Sequence, residues 1–171
     1  PALRSEAEYV ELFDRGRRFR GHLMQGRDIE FHARVRDQRF QEHEGRFVGW
    51  AQALQGQGAA GVARSQHGAA TRKAVGSDLT QPVYLGMLAE AHACAGQPTT
   101  GLTVLADALV LANTTGDRWG EAELHRLRGT LLLAVSADHA REAEACFHQA
   151  LTVARRQEAK AWELRTATSL S

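Results

Sequence analysis

The chain has 171 residues, 43% hydrophobic and 6% aromatic, which suits one domain able to bury a core without disulfides or a structural metal. Its 21 Lys+Arg against 20 Asp+Glu leave a formal net charge of +1, without the basic excess of a nucleic-acid-binding domain. No apolar run reaches the roughly 18–20 residues that span a bilayer, and no signal peptide opens the chain.

Lys73 and Lys160 are the only lysines among the basic residues, a skew toward arginine that reads as coding bias. The start at Pro1, without methionine, reads as a fragment or a processed chain. Cys94 and Cys146 are far apart and lack CxxC spacing, so neither a disulfide framework nor a zinc site is expected. Both sit in apolar helical patterns and read as buried free thiols, in a cytoplasmic protein.

Residues 1–30 read as an N-terminal helix or lead segment. Arg15, Arg17, Arg18 and Arg20 form its densest basic cluster. Residues 1–46 hold 10 Arg but also 9 acidic residues, so a solvated helix that packs through Tyr9, Leu12, Phe13 and Phe19 is preferred over an RNA contact.

From residue 31 onward the chain repeats itself. Small residues recur at Gly49, Ala89 and Gly129, 40 residues apart. Seven residues after each stands a turn residue, Gly56, Gly96 or Ser136. Small residues then open a second apolar stretch at Gly61, Gly101 and Ala143, and recur at Gly68, Ala108 and Ala150. The third copy is two residues longer at this step, which predicts a longer turn at Ser136-Ala137-Asp138. Within each copy the apolar spacing is helical: Leu85, Leu88, Ala89 and His92; then Leu102, Leu105, Ala108 and Leu109; then Leu124, Leu127, Leu131 and Leu132.

The spacing predicts helix pairs over 31–55/59–74, 82–95/99–114 and 119–135/139–156, then a half-polar capping helix over 158–170. Thr80 and Pro82 read as the cap and first turn of one helix, and Gly116 and Asp117 as the stop of one helix and the cap of the next. Alternating β-branched runs are lacking. The reading is an all-α, right-handed helical-hairpin solenoid over 31–171, with repeats of about 31–76, 80–116 and 118–156 and a cap over 158–171. Gly or Ala in each column lets helices approach closely opposite bulky groups such as Leu105 and Phe147, and each pair needs its neighbours to cover an apolar face.

Motifs of enzyme chemistry fail on context. Gly56–Gly61 spells GxGxxG, but the dinucleotide fingerprint needs a strand before it, and Gly49–Leu54 is helical in pattern. His139, Glu142 and His148 lack a third metal ligand at a convincing spacing, and Ser65, His67 and Asp78 make a triad only if geometry is ignored. No catalytic role, cofactor or metal is expected.

The pattern Gly101-x3-Leu105-x2-Ala108, repeated as Ala143-x3-Phe147-x2-Ala150, resembles the tetratricopeptide repeat. The stretches "YLGMLAEAHACAGQPTTGLTVLADALVLANTTGDRWGEAELHRLRGTLLL" and "AEACFHQALTVARRQEAKAWELRTATSL" look like the C-terminal repeat region of large bacterial multidomain signalling ATPases. The resemblance is strong over 82–171, fair over 47–81 and absent over 1–30. His92 stands in a usually aromatic column, and Arg128 in a usually apolar one. The resemblance implies a regulatory module that receives a partner and biases a neighbouring domain.

In such a stack the first helix of each pair lines the inner surface. The inward positions are then His43, Arg46 and Trp50, followed by Glu90 and Cys94, then Glu123 and Arg126. The expected partner is a protein or peptide, which includes a neighbouring domain of the parent protein; nucleic acid and membrane are not expected. Two rival readings are a small-molecule-sensing or catalytic pocket near Trp50 and His92, and self-association into a homo-oligomer.

Overall fold

A computed structural model describes residues 45–73 and 80–170. Among them every regular element is helical. A helix over 45–54 (α1) precedes Gly58–Lys73 (α2), Gln81–Cys94 (α3), Pro98–Thr115 (α4), Glu121–Val135 (α5), Ala140–Arg156 (α6) and Lys160–Leu170 (α7). A 3₁₀ turn, Ala137–His139, leads into α6. These elements belong to one compact unit, Phe40–Ser171. No helix among the described residues is long and apolar enough to cross a membrane. The expected segments 1–30 and 31–44, with the Arg15–Arg20 cluster, lie outside the described residues.

Local chemistry sets the boundaries. Pro82 and Pro98 occupy first-turn positions, where a fixed φ and a missing N–H cost nothing. The turn after α3 passes through Gly96 at φ 76°, and α4 stops at Gly116 at φ 74°, left-handed conformations that glycine adopts without a Cβ clash. The third turn solves the same problem differently. Ser136 is extended, and its Oγ accepts the Asp138 N–H at 3.1 Å to start the 3₁₀ turn. This is the longer turn that the two extra residues predict.

The period survives folding. First helices begin at Gln81, Glu121 and Lys160, and second helices at Gly58, Pro98 and Ala140. Consecutive helices pack on one another from α2 to α7, and α3 also packs on α5, and α5 on α7. Within the hairpins, close contacts fall at the small columns. A Cβ on Gly49 would lie 2.7 Å from the Gly61 carbonyl oxygen, and one on Gly101 2.7 Å from the Ala89 carbonyl oxygen. A Cβ on Gly129 would meet the edge of the buried Phe147 ring at 2.7 Å. The apolar interior is a series of small clusters. Ala53, Val62 and Ala91 join α1, α2 and α3, and a larger group from Ala89 to Leu131 joins α3, α4 and α5. Leu132 and Phe147 join α5 and α6, and Ala122, Val153 and Ala154 meet Trp162 of α7.

Three expectations are corrected. Asp117 does not cap α5, whose N-cap is Gly120; its Oδ2 accepts the backbone N–H of Thr80, 37 residues away, at 2.7 Å. Thr80 stands at the α3 N-cap position, but with a left-handed backbone and no side-chain cap bond. Cys146 is buried, but Cys94, the last residue of α3, is exposed. Both thiols are free; partial desolvation raises the pKa of each, with the Glu90 charge adding to it at Cys94. The Asp117 link has a counterpart one repeat later, where Gln157 Nε2 donates to the Arg118 carbonyl at 2.7 Å.

Candidate functional site

The first helices α1, α3, α5 and α7 present one connected polar line. Trp50 on α1 donates its indole N–H to Glu90 Oε2 on α3 at 2.7 Å. The other Glu90 oxygen lies 3.8 Å from the Arg126 guanidinium on α5. Arg126 grips Glu123, one turn earlier on the same helix, through two bonds of 2.8 Å. Glu123 also pairs with Arg165 on α7 at 3.1 Å, and Arg126 reaches Ser169 Oγ at 3.3 Å. Arg165 stacks over the Trp162 ring at 5.7 Å.

The line is most buried at its centre. Arg126 is 7% exposed and Glu123 9%, while Trp50 and Glu90 are half-buried and Arg165 is open. Burial works against the Arg126 charge. The hydrogen bonds and charge of Glu123, aided by Glu90, outweigh it and raise the Arg126 pKa. Fork-to-carboxylate geometry makes this the strongest single link of the line.

Of the sequence-predicted positions, Trp50, Glu90, Glu123 and Arg126 are brought together here. Cys94 lies one turn beyond Glu90 on α3, and its thiol feels the Glu90 charge. His43 lies outside the described residues. Arg46 is placed elsewhere: at 3% exposure it stacks on Tyr84 at 4.7 Å and donates to Gln81 at 3.4 Å. It serves the α1–α3 contact, with Phe47 edge-on to the same ring at 5.5 Å.

Arg165 and Ser169 were missed by sequence reasoning, which treated the last helix as a cap. The signal was present for Ser169: it continues the series Gly49, Ala89, Gly129 at the same spacing of 40. Thr166, fully buried, likewise continues Arg126 by 40. The last helix therefore stands where a first helix stands in each pair.

Around the rival pocket residues, His92 is buried and its Nδ1 meets Gln97 Oε1 at 2.9 Å, and the Trp50 N–H is taken by Glu90. A cleft lined by Arg46, Ser65, Gln81 and Tyr84, but by neither Trp50 nor His92, has about 10 Å³ of water-accessible space, room for about one water. Gly56–Gly61 is an interhelical turn that opens α2, and helix precedes it. Arg128 stays at the surface and pairs with Glu142 across α5 and α6 at 2.9 Å. Among the described residues no three His, Cys, Asp or Glu side chains form a metal-binding group.

No family model matches this chain, and no curated protein or solved structure is found to be similar to it.

Proposed function

We propose that this chain is a non-catalytic helical-repeat module that binds a protein or peptide partner on the face of α1, α3, α5 and α7. The observation that carries this reading is the line Trp50–Glu90–Arg126–Glu123–Arg165, which joins four helices far apart in sequence. Side chains fixed by neighbours on rigid helices lose little ordering entropy on binding. Trp50 adds an aromatic anchor of the kind that dominates interfaces. The 40-residue recurrence of helix starts, and the packing of each first helix on the next, support a tetratricopeptide-like solenoid. The sequence resemblance supports a place in a bacterial signalling ATPase, where the module would sense a partner and bias its neighbour.

The test uses substitutions that spare the fold. Leu54 is 50% exposed one turn after Trp50, and Val110 is 63% exposed on the second helix α4. Peptides selected from a displayed library against the wild-type chain should lose binding to Leu54→Glu with Cys94→Arg, and keep it with Val110→Glu. If Val110→Glu abolishes binding and the pair does not, the face is misassigned.

A further inference from the structure

In a chain that is 24% charged, three stretches lack Asp, Glu, Lys and Arg altogether: 51–63, 91–106 and 129–137. They recur on the 40-residue period. Each runs from the end of a first helix, α1, α3 or α5, into the turn that follows. The opposite ends of the hairpins are dense in charge: Arg155, Arg156, Glu158, Lys160 and Glu163 crowd the α6–α7 junction.

The fold joins the three stretches into one surface. Gly58 lies so close to the α3 end that a Cβ on it would stand 2.6 Å from the Ala95 Cα. Ala53 and Ala91 share one apolar cluster, and Leu102 packs against the cluster of Leu132. His92 is buried and held by Gln97. What reaches solvent is apolar or neutral: Leu54 is 50% exposed and Leu133 44%, and Cys94 is exposed as well. Leu54 stands one turn after Trp50, Cys94 one turn after Glu90, and Leu133 two turns after Arg126. The surface therefore continues the polar line toward the helix ends.

The line itself has no spare charge to offer. Glu90 and Glu123 face Arg126 and Arg165, and the four pair with one another. A partner's Lys, Arg, Asp or Glu seated beyond the line would lose water without gaining a counter-charge, which opposes binding. Apolar side chains meet no such penalty and cover exposed leucine. Building on the partner-binding reading above, we infer that the partner contributes an uncharged, apolar peptide segment, seated across Leu54, Cys94 and Leu133 without an ionic anchor. Such binding is insensitive to salt, whereas exposed ionic contacts weaken as the screening length falls from about 10 Å at 0.1 M to about 3 Å at 1 M.

The experiment is titration of the full chain with peptides selected against it from a random displayed library, at about 0.1 M and about 1 M NaCl. The peptides should be poor in charged residues, and their Kd should change by less than about twofold with salt. Leu133→Lys should weaken binding by about tenfold or more, and Leu133→Gln by less, since only the lysine buries an unpaired charge. Charged peptides that lose about tenfold in affinity at high salt, and that also lose binding to Leu54→Glu with Cys94→Arg, would overturn the uncharged partner while leaving the face in place. Peptides indifferent to that pair would overturn the face and the uncharged partner together. Self-association of the chain that Leu133→Lys abolishes would also overturn it, because the occupant would then be a second copy.

Discussion

Two kinds of seam run through this molecule on the same 40-residue period. Within the hairpins, helices meet at small residues: Gly49 against Gly61, Gly101 against Ala89, and Gly129 against Ala143 and Phe147. Between the first helices, the line from Trp50 to Arg165 adds hydrogen bonds and ion pairs to the apolar contacts. The hairpin seam depends on the absence of atoms, and is broken by adding one. The polar seam depends on paired charges, and is broken most severely by removing one member.

The largest effect should come from Arg126→Met. It leaves Glu123, 9% exposed, short of its main counter-charge, at a cost of about 3–5 kcal/mol, read by urea denaturation. Gly49→Ala comes next. The new Cβ would lie 2.7 Å from the Gly61 carbonyl oxygen and 2.8 Å from the Ser65 backbone nitrogen, rigid backbone that cannot turn aside. The helix-propensity gain of about 1 kcal/mol loses to overpacking of about 1–3 kcal/mol, so the melting temperature should fall.

Gly129→Ala sharpens the contrast. Its nearest obstacle is the Phe147 ring edge at 2.7 Å, with the Ala143 carbonyl oxygen at 3.0 Å. A ring can tilt, so the loss should be smaller than at Gly49, about 1 kcal/mol. Trp50→Phe removes one donor from the polar seam while keeping most of the ring, and should also cost about 1 kcal/mol.

The smallest effect is pH dependence from His125. Burial lowers its pKa, with Arg128 acting in the same direction and Glu121 opposing. The folded chain then binds the proton less readily than the unfolded chain. Stability is complete above the ordinary histidine value of about 6.5 and declines as pH falls below it toward the lowered folded value. Acid titration of the melting point, compared with His125→Gln, should show a shallower slope in the variant.

The hairpin seam was the legible one. A residue that must be small leaves a mark at its own position, and Gly49, Ala89, Gly129, Gly61 and Gly101 carry that mark. The polar seam was legible in part. Counting from the small column places Trp50, Glu90, Glu123 and Arg126 on one side of their helices, but not their partners. Arg46, four residues before Trp50, is drawn into the α1–α3 contact by Tyr84, a pairing between helices that no local pattern records. Asp117 was misread for a related reason: a carboxylate next to a helix start suggests a local cap, whereas this one bonds Thr80 across the repeat boundary. Cys94 shared the apolar texture of its helix, which says nothing about a last residue that no neighbouring element covers.

The measurement that bears most directly on the polar seam is a three-variant comparison by chemical denaturation: Arg126→Met, Glu123→Leu and the double variant. If the two groups form one buried charged unit, removing either strands the other, and removing both replaces the unit with apolar volume. The double variant should then be more stable than Arg126→Met alone by at least about 1 kcal/mol. A double variant that loses the sum of the two single losses would contradict a coupled line at the centre of this face.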